Sequence, residues 1–242
     1  QRVTGKEERI TATLVQLGKM LAMDPPMRME SFDISNISGT DIVASMVVFE
    51  DGKPKKSDYK RFKLEGLSNQ DDYASMHQII RRRFSHYKAA DKGFEQTPDL
   101  LLIDGGVNHA AVVVAALQEL ELQFPVFGMV KDDRHRTRAL VTPEGQEIRI
   151  DNNQAIFSLI GSIQEETHRF AISYHKKLRS KRLRYSQLDQ IPGIGPKRKQ
   201  DLLRHFSSIS AIKQATIAEL KRYLPQNAAI AVFQYFHSEE DI

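Results

Sequence analysis

The chain has 242 residues, 40% of them hydrophobic and 27% charged, with no cysteine and no tryptophan. That length and apolar content are enough to bury one medium core plus a small one, whereas the lack of cysteine excludes disulfides and thiolate metal sites, and no apolar run is long enough to cross a bilayer. The formal charge of +4 is unevenly placed, with −3 on residues 1–174 and +7 on residues 175–242, so a small polyanion-binding appendage is expected on a mildly acidic body.

Residues 8–22 carry Ile10, Leu14, Leu17 and Leu21 at helical spacing, and Asp24-Pro25-Pro26 ends that helix because proline cannot continue it. From Phe32 to about Leu64 the pattern is extended. Ile42 to Phe49 is a β-rich run, Glu50-Asp51-Gly52-Lys53 is a hairpin turn, and Asp58 to Leu64 alternates. Asp71 to Tyr87 predicts a helix, and Asp99 to Ile103 a buried strand of the parallel kind. A helix over Asn108–Leu120, a strand over Val126–Val130, a hairpin around Thr142-Pro143-Glu144-Gly145 and a long helix from about Asn153 to Lys177 follow.

Three antiparallel strands leading into parallel strand–helix units are the element order of the ribonuclease H-like fold, in which the first and fourth strands lie side by side. The expected architecture is an α/β ribonuclease H-like mixed sheet flanked by helices, followed by a small all-α tandem helix-hairpin-helix domain. Residues 1–30 form a lead-in helix and linker, 31–178 the first domain and 179–242 the second. The charged run Lys176 to Arg184 reads as the connector.

Two aspartates close apolar strands, Asp33 in Phe32-Asp33-Ile34-Ser35-Asn36 and Asp104 in Leu102-Ile103-Asp104-Gly105-Gly106. The fold would make them neighbours. A carboxylate at a strand end beside a glycine turn coordinates a cation, positions a reactant or caps the next helix. Two of them suffice for Mg²⁺ or Mn²⁺ in phosphodiester hydrolysis, since such a hard cation fills its shell with water and substrate phosphate oxygens.

His168 lies at the rim of the apolar stripe of the last long helix, where an imidazole could orient or deprotonate water, bind metal or assist the leaving oxygen. Asp72 reads as a helix N-cap, with an outer-shell carboxylate as the functional alternative. Arg81-Arg82-Arg83 and Arg134-His135-Arg136 read as solvated faces.

The segment Ile191-Pro192-Gly193-Ile194-Gly195-Pro196-Lys197-Arg198-Lys199 has the form of a helix-hairpin-helix turn. Gly193, Ile194 and Gly195 allow a tight turn whose backbone N–H groups meet a DNA phosphate at a helix N-terminus, and Lys197, Arg198 and Lys199 add charge. A second, weaker copy, Leu224-Pro225-Gln226-Asn227-Ala228, has no glycine.

Together these segments, with Asp71 to Met76 and His168-Arg169-Phe170-Ala171-Ile172 in the same order, resemble the C-terminal half of the UvrC family, the nuclease subunit of bacterial nucleotide excision repair. The resemblance implies an endonuclease that cuts damaged double-stranded DNA on the 5′ side of the lesion. Position by position it assigns Asp33, Asp104 and His168 to the catalytic triad and Asp72 to an accessory acidic role. It also implies a bacterial cytoplasmic protein that meets UvrB through a segment upstream of Gln1, the chain itself reading as a soluble fragment. Gln164 departs from the family pattern, standing where many relatives carry a basic residue. Two other readings use the same residues: an actin- or sugar-kinase-like ATPase, with Asp33 to Gly39-Thr40 as a phosphate loop, and a DNA-binding scaffold with an inactive site.

Overall fold

The computed structural model describes residues 5–37, 41–64 and 71–237, with the side chains of 35–37, 41 and 174–186 left aside. Gly39 and Thr40 of the ATPase reading and every side chain of the expected connector therefore fall outside the described set. Among the described residues no helix is long and apolar enough to cross a membrane.

The chain divides into two compact units, residues 1–173 and 174–242. In the first, helix α1 (Gly5–Met20) precedes strands β1 (Arg28–Ile37) and β2 (Asp41–Glu50), the two-residue β3 (Lys53–Pro54), a single 3₁₀ turn and β4 (Lys60–Leu64). Helix α2 (Asp72–Lys88), β5 (Leu100–Ile103), α3 (Val107–Glu119), β6 (Val126–Lys131), β7 (Thr137–Val141), β8 (Glu147–Arg149) and the start of α4 (Gln154–Asp189) complete it. Asp51 and Gly52 both take positive φ, 51° and 69°, the backbone of the tight hairpin expected from an Asp-Gly pair.

The strands form one mixed sheet in the order β3-β2-β1-β5-β6-β7-β8, with β4 also on β2. β1 pairs antiparallel with β2 and parallel with β5, so the first strand and the fourth long one lie side by side, as the element order predicts. Strand alternation divides the core into two layers. Phe32, Ala44, Met46, Leu101 and Ile103 pack with Ile79, Ile80 and Phe84 of α2 and Val113 and Leu117 of α3. Met29, Val47, Leu100 and Leu102 pack on the other face with Leu14 and Leu17 of α1 and Ile156, Ile160 and Ile163 of α4.

Two sequence expectations need correction. The long helix does not end near Lys177: the charged run Lys176 to Arg184, expected as a connector, is part of α4, which continues to Asp189. It holds good helix formers, and no glycine or proline interrupts it between Gly161 and Pro192. Arg83 is not on a solvated face either. It is 1% exposed, and its Nε and Nη2 donate to Glu30 Oε2 and Oε1 at 3.1 and 2.8 Å. Its Nη1 and Nη2 also donate to the carbonyls of Phe94 and Gln96 at 3.1 and 2.7 Å.

The second unit holds α5 (Pro196–His205), α6 (Ile209–Gln214), α7 (Ile217–Leu220) and α8 (Gln226–His237). Its own core gathers Leu188, Ile191, Ile194, Leu202, Leu220, Leu224, Ala229 and Val232. The apolar residues of both hairpin turns, Ile191 with Ile194 and Leu224, thus anchor their turns from below.

Candidate active site and nucleic-acid interface

The last rung between β1 and β5 pairs Phe32 with Ile103, and the Asp104 N–H donates to the Phe32 carbonyl at 3.1 Å. Asp33 and Asp104 are therefore the next residues along two adjacent strands, which lie about 4.8 Å apart. Because Phe32 and Ile103 point into the α2/α3 layer, alternation sends the aspartates toward the opposite face. Asp33 is 9% exposed and the Asp104 side chain 14%. Water screens both weakly, so a charge brought near them acts strongly.

The turn that holds Asp104 is tight for a visible reason. A Cβ on Gly105 would meet the His109 ring at 2.5 Å, and one on Gly128 of β6 would meet the Gly105 carbonyl oxygen at the same distance. At either position a side chain would force its neighbours to shift. Polar groups continue along the same face of β1 and β2: Ser45, paired with Asp33 in the ladder, and Ser31, two residues before it, have buried hydroxyls with no hydrogen-bond partner among the described residues.

One cation already stands at this site, and the sequence reading missed it. Lys131, the last residue of β6, places its Nζ 2.6 Å from Asp104 Oδ1. The signal was its place at the end of an apolar strand, next to the parallel strand that ends in Asp104. Directly after it, Asp132 ties down the β6–β7 turn by accepting from the N–H groups of Arg134 and Arg136 at 2.9 Å each and from the Arg136 guanidinium. The Arg136 and Arg134 N–H groups and the Arg136 guanidinium hold the Asp132 carboxyl below its ordinary range.

His168 sits exposed on α4, beside the buried stripe of Ile163, Thr167 and Ala171. One turn earlier, Gln164 fastens the helix to the same strand pair. Its Oε1 accepts from the Thr137 N–H at 3.0 Å and from the Thr137 hydroxyl, and its Nε2 donates to the His135 carbonyl at 2.9 Å. Thr137 is the ladder partner of Lys131. Gln164 thus anchors the helix that carries His168 and uses no charge to do so. The strand pairing brings the two aspartates together, whereas among the described residues no three His, Asp or Glu side chains form a group that could hold a metal ion, so His168 is not joined to them in one ligand group.

Asp72 is the first residue of α2 and exposed, while the N-cap is Asp71, whose carboxylate accepts from the Ala74 N–H at 2.8 Å. The N-terminal turns of α2 and α3 touch through Tyr73 and His109, whose ring centroids are 4.6 Å apart. Asp72 therefore lies near the turn after Asp104 but on the α2/α3 side of the sheet.

In the second unit, Gly193 takes φ +81°, a conformation other residues adopt at a cost, and its carbonyl accepts from Arg198 Nη1 at 2.6 Å. Helix α5 opens on Gly195 with no side-chain cap and has Pro196 in its first turn. Its first N–H groups are left to whatever approaches from outside. A groove of about 720 Å³ runs along residues 189–198. Ile194 is buried in its floor and Lys197 is exposed at its rim. Lys199 differs from the expectation of a surface charge, because it is 7% exposed and ion-paired with Asp189.

A family profile described as the UvrC RNAse H endonuclease domain matches residues 18–172, and one described as a SAM-like helix-hairpin-helix tandem matches residues 185–225. The chain belongs to the UvrC family. It is 44% identical over 246 residues to the UvrABC system protein C of Acetivibrio thermocellus, covering 93% of this chain and 39% of that protein. The same-named protein of Desulfitobacterium hafniense is 45% identical over 232 residues, covering 96% of this chain and 38% of the relative. The chain thus spans about two-fifths of the length of the UvrC relatives it matches. Among solved structures, human ENDOV aligns at 12% identity with a TM-score of 0.41, covering 72% of this chain and 97% of that one. UvrC membership sets aside the ATPase reading of the same element order.

Proposed function

We propose that this chain is the part of a UvrC enzyme that cuts damaged double-stranded DNA on the 5′ side of the lesion in nucleotide excision repair. The observation that carries the reading is the placement of Asp33 and Asp104 as next neighbours on β1 and β5, weakly exposed and facing the same side. Two carboxylates beside unsatisfied serine hydroxyls suit Mg²⁺ or Mn²⁺, both of which take oxygen ligands and complete their shell from water and phosphate. Bound there, the ion would supply Lewis-acid polarisation of the phosphoryl group and a nucleophile usable at neutral pH.

The chain's own residues do the rest. Lys131 holds Asp104 Oδ1 and puts positive charge where a phosphate must approach two carboxylates. His168, on the helix anchored by Gln164, is the imidazole that would orient the attacking water or assist the leaving oxygen. Asp72 adds negative charge near the glycine turn. In the second unit, Gly193, Ile194 and Gly195 shape the turn that presents backbone N–H groups to a DNA phosphate, with Lys197 and Arg198 beside them. Work within the bacterial cytoplasm, and docking to UvrB through a part of the protein beyond this chain, complete the proposal.

The test is incision of a lesion-containing duplex, nicked beforehand on the 3′ side, with Mg²⁺ or Mn²⁺, alongside a binding measurement. Asp33→Asn and Asp104→Asn should each abolish cutting and leave DNA affinity nearly intact, because each removes a metal ligand and not a phosphate contact. Near-normal cutting by either variant rejects the two-aspartate site. An unchanged rate in His168→Ala removes His168 from the chemistry.

A further inference from the structure

The two hairpin turns of the second unit present different chemistry. In the turn between α7 and α8, the N–H groups of Lys221, Arg222, Tyr223 and Leu224 donate to the carbonyls of Ile217, Glu219, Leu220 and Leu220 at 2.9, 3.2, 3.1 and 3.0 Å. The Ala228 N–H goes to the Asn227 side chain at 2.9 Å, and that of Ala229 to the Pro225 carbonyl at 3.0 Å. The Ala228 and Ala229 N–H groups in the first turn of α8 are thus spent within the turn, whereas among the described residues no acceptor within the first hairpin takes the N–H groups of Gly195, Lys197 and Arg198 at the start of α5.

What this turn presents instead is an aromatic ring. Tyr223 is 39% exposed and lies flat on His205, the last residue of α5, with centroids 4.0 Å apart and the planes 13° from parallel. Phe206 braces it edge-on at 5.8 Å and 85°. The neighbours in sequence on both sides of the stack, Arg204, Lys221 and Arg222, are exposed and basic. An exposed, preordered pair of rings inside a basic surround suits a nucleobase. A base stacks on any aromatic face without regard to its identity, the stiff rings lose little freedom on binding, and the cations follow the strand's phosphates.

We propose that the Tyr223–His205 stack is a platform for an unpaired DNA base. The second unit then grips DNA in two ways: by backbone N–H groups at the first hairpin and by ring stacking at the second. The inference rests on the DNA-binding reading given above. It deepens that reading with a consequence the first hairpin lacks. A base inside a duplex has both faces covered by its neighbours, whereas a base in a bubble or at a junction has a face to give.

The test uses the whole 242-residue chain and two DNA probes of equal length, one fully paired and one with an internal bubble that carries 2-aminopurine as an unpaired base. Tyr223→Ala should weaken binding to the bubble by about tenfold, the scale of removing one base–aromatic stack. It should leave the paired duplex within about twofold and abolish the quenching of 2-aminopurine fluorescence on binding. Tyr223→Phe keeps the ring and should retain both affinity and quenching, which separates a missing ring from a misfolded turn. Gly193→Val, which disturbs the first hairpin, should weaken both probes alike.

Equal loss on the two probes in Tyr223→Ala, or quenching that survives it, overturns the platform. Failure of the unaltered chain to bind either probe would overturn the DNA-binding reading itself, and the platform with it.

Discussion

Glu166 is a side chain whose charge is set by its neighbours in a way that acid should expose. Arg169 donates to both of its oxygens at 2.6 and 2.7 Å, and the Tyr59 hydroxyl donates to Oε1 at 3.0 Å. The Arg169 guanidinium, with help from Tyr59, holds the carboxyl below its ordinary value of 4.5, while burial and the Glu166 bond push the Tyr59 hydroxyl up. Since the folded carboxyl is the stronger acid, its stabilisation is fully present above about pH 4.5 and is lost as the pH falls through the folded value. Thermal unfolding followed from neutral pH into acid should show that loss. Glu166→Gln should be less stable near neutrality by about 1 kcal/mol, a small figure because solvent screens the half-exposed Arg169, and should decline less on acidification. Parallel acid profiles for the two proteins would show that Glu166 contributes nothing.

At the scale of elements, α2 is bound to β1 by a buried ion pair as well as by apolar contact. Glu30 is 0% exposed and receives Arg83 on both oxygens, with Arg28 at 3.4 Å from Oε1. Arg28 in turn reaches Asp58 at 2.7 Å and Glu50 at 3.2 Å, so the network runs from α2 across β1 and β2 to the turn before β4. Removing Arg83 leaves a buried carboxylate short of its main partner. Arg83→Ala should therefore destabilise the first unit by about 3–5 kcal/mol in denaturant unfolding. The exposed Arg81, 3.4 Å from Glu119, should cost less than about 1 kcal/mol when replaced by alanine. Similar losses for the two variants would refute the distinction. The sequence did carry a trace of the pair: Arg83 falls on the helical stripe of Met76, Ile79, Ile80 and Phe84, and Glu30 on the same side of its strand as Phe32. An arginine triplet is ordinarily a wet surface, and only the carboxylate facing it makes this one different.

At the scale of the whole chain, two units with separate cores differ in charge as well as in fold. The aspartate site lies in the acidic portion and the hairpins in the basic one, so affinity and chemistry should separate on truncation. Deleting residues 185–242 should weaken binding across DNA sequences with little change in sequence preference, because the hairpin contacts proposed here are to phosphates and to base faces. The log–log slope of affinity against salt should flatten by roughly 0.9 for each phosphate that the truncated chain no longer neutralises. An unchanged slope after truncation would place the phosphate contacts in the first unit instead.

Much of this architecture is written in local pattern. Apolar alternation and helical spacing define the order of strands and helices, the glycines mark the turn after Asp104 and the first hairpin, and that order puts β1 beside β5. Such features depend on residues a few positions apart, where backbone sterics and side-chain period act without knowledge of the rest of the chain. The partners of the charged groups are different. Lys131 meets Asp104, Arg83 meets Glu30, Gln164 meets Thr137 and Lys199 meets Asp189, each across a separation that no helical or strand period spans. Whether a charge faces water or a counter-charge is decided when the layers close, since burial without a partner costs more than the fold can spare. The sequence determined the elements and the two aspartates; the tertiary structure alone decided which charges stay available to a ligand and which are held inside.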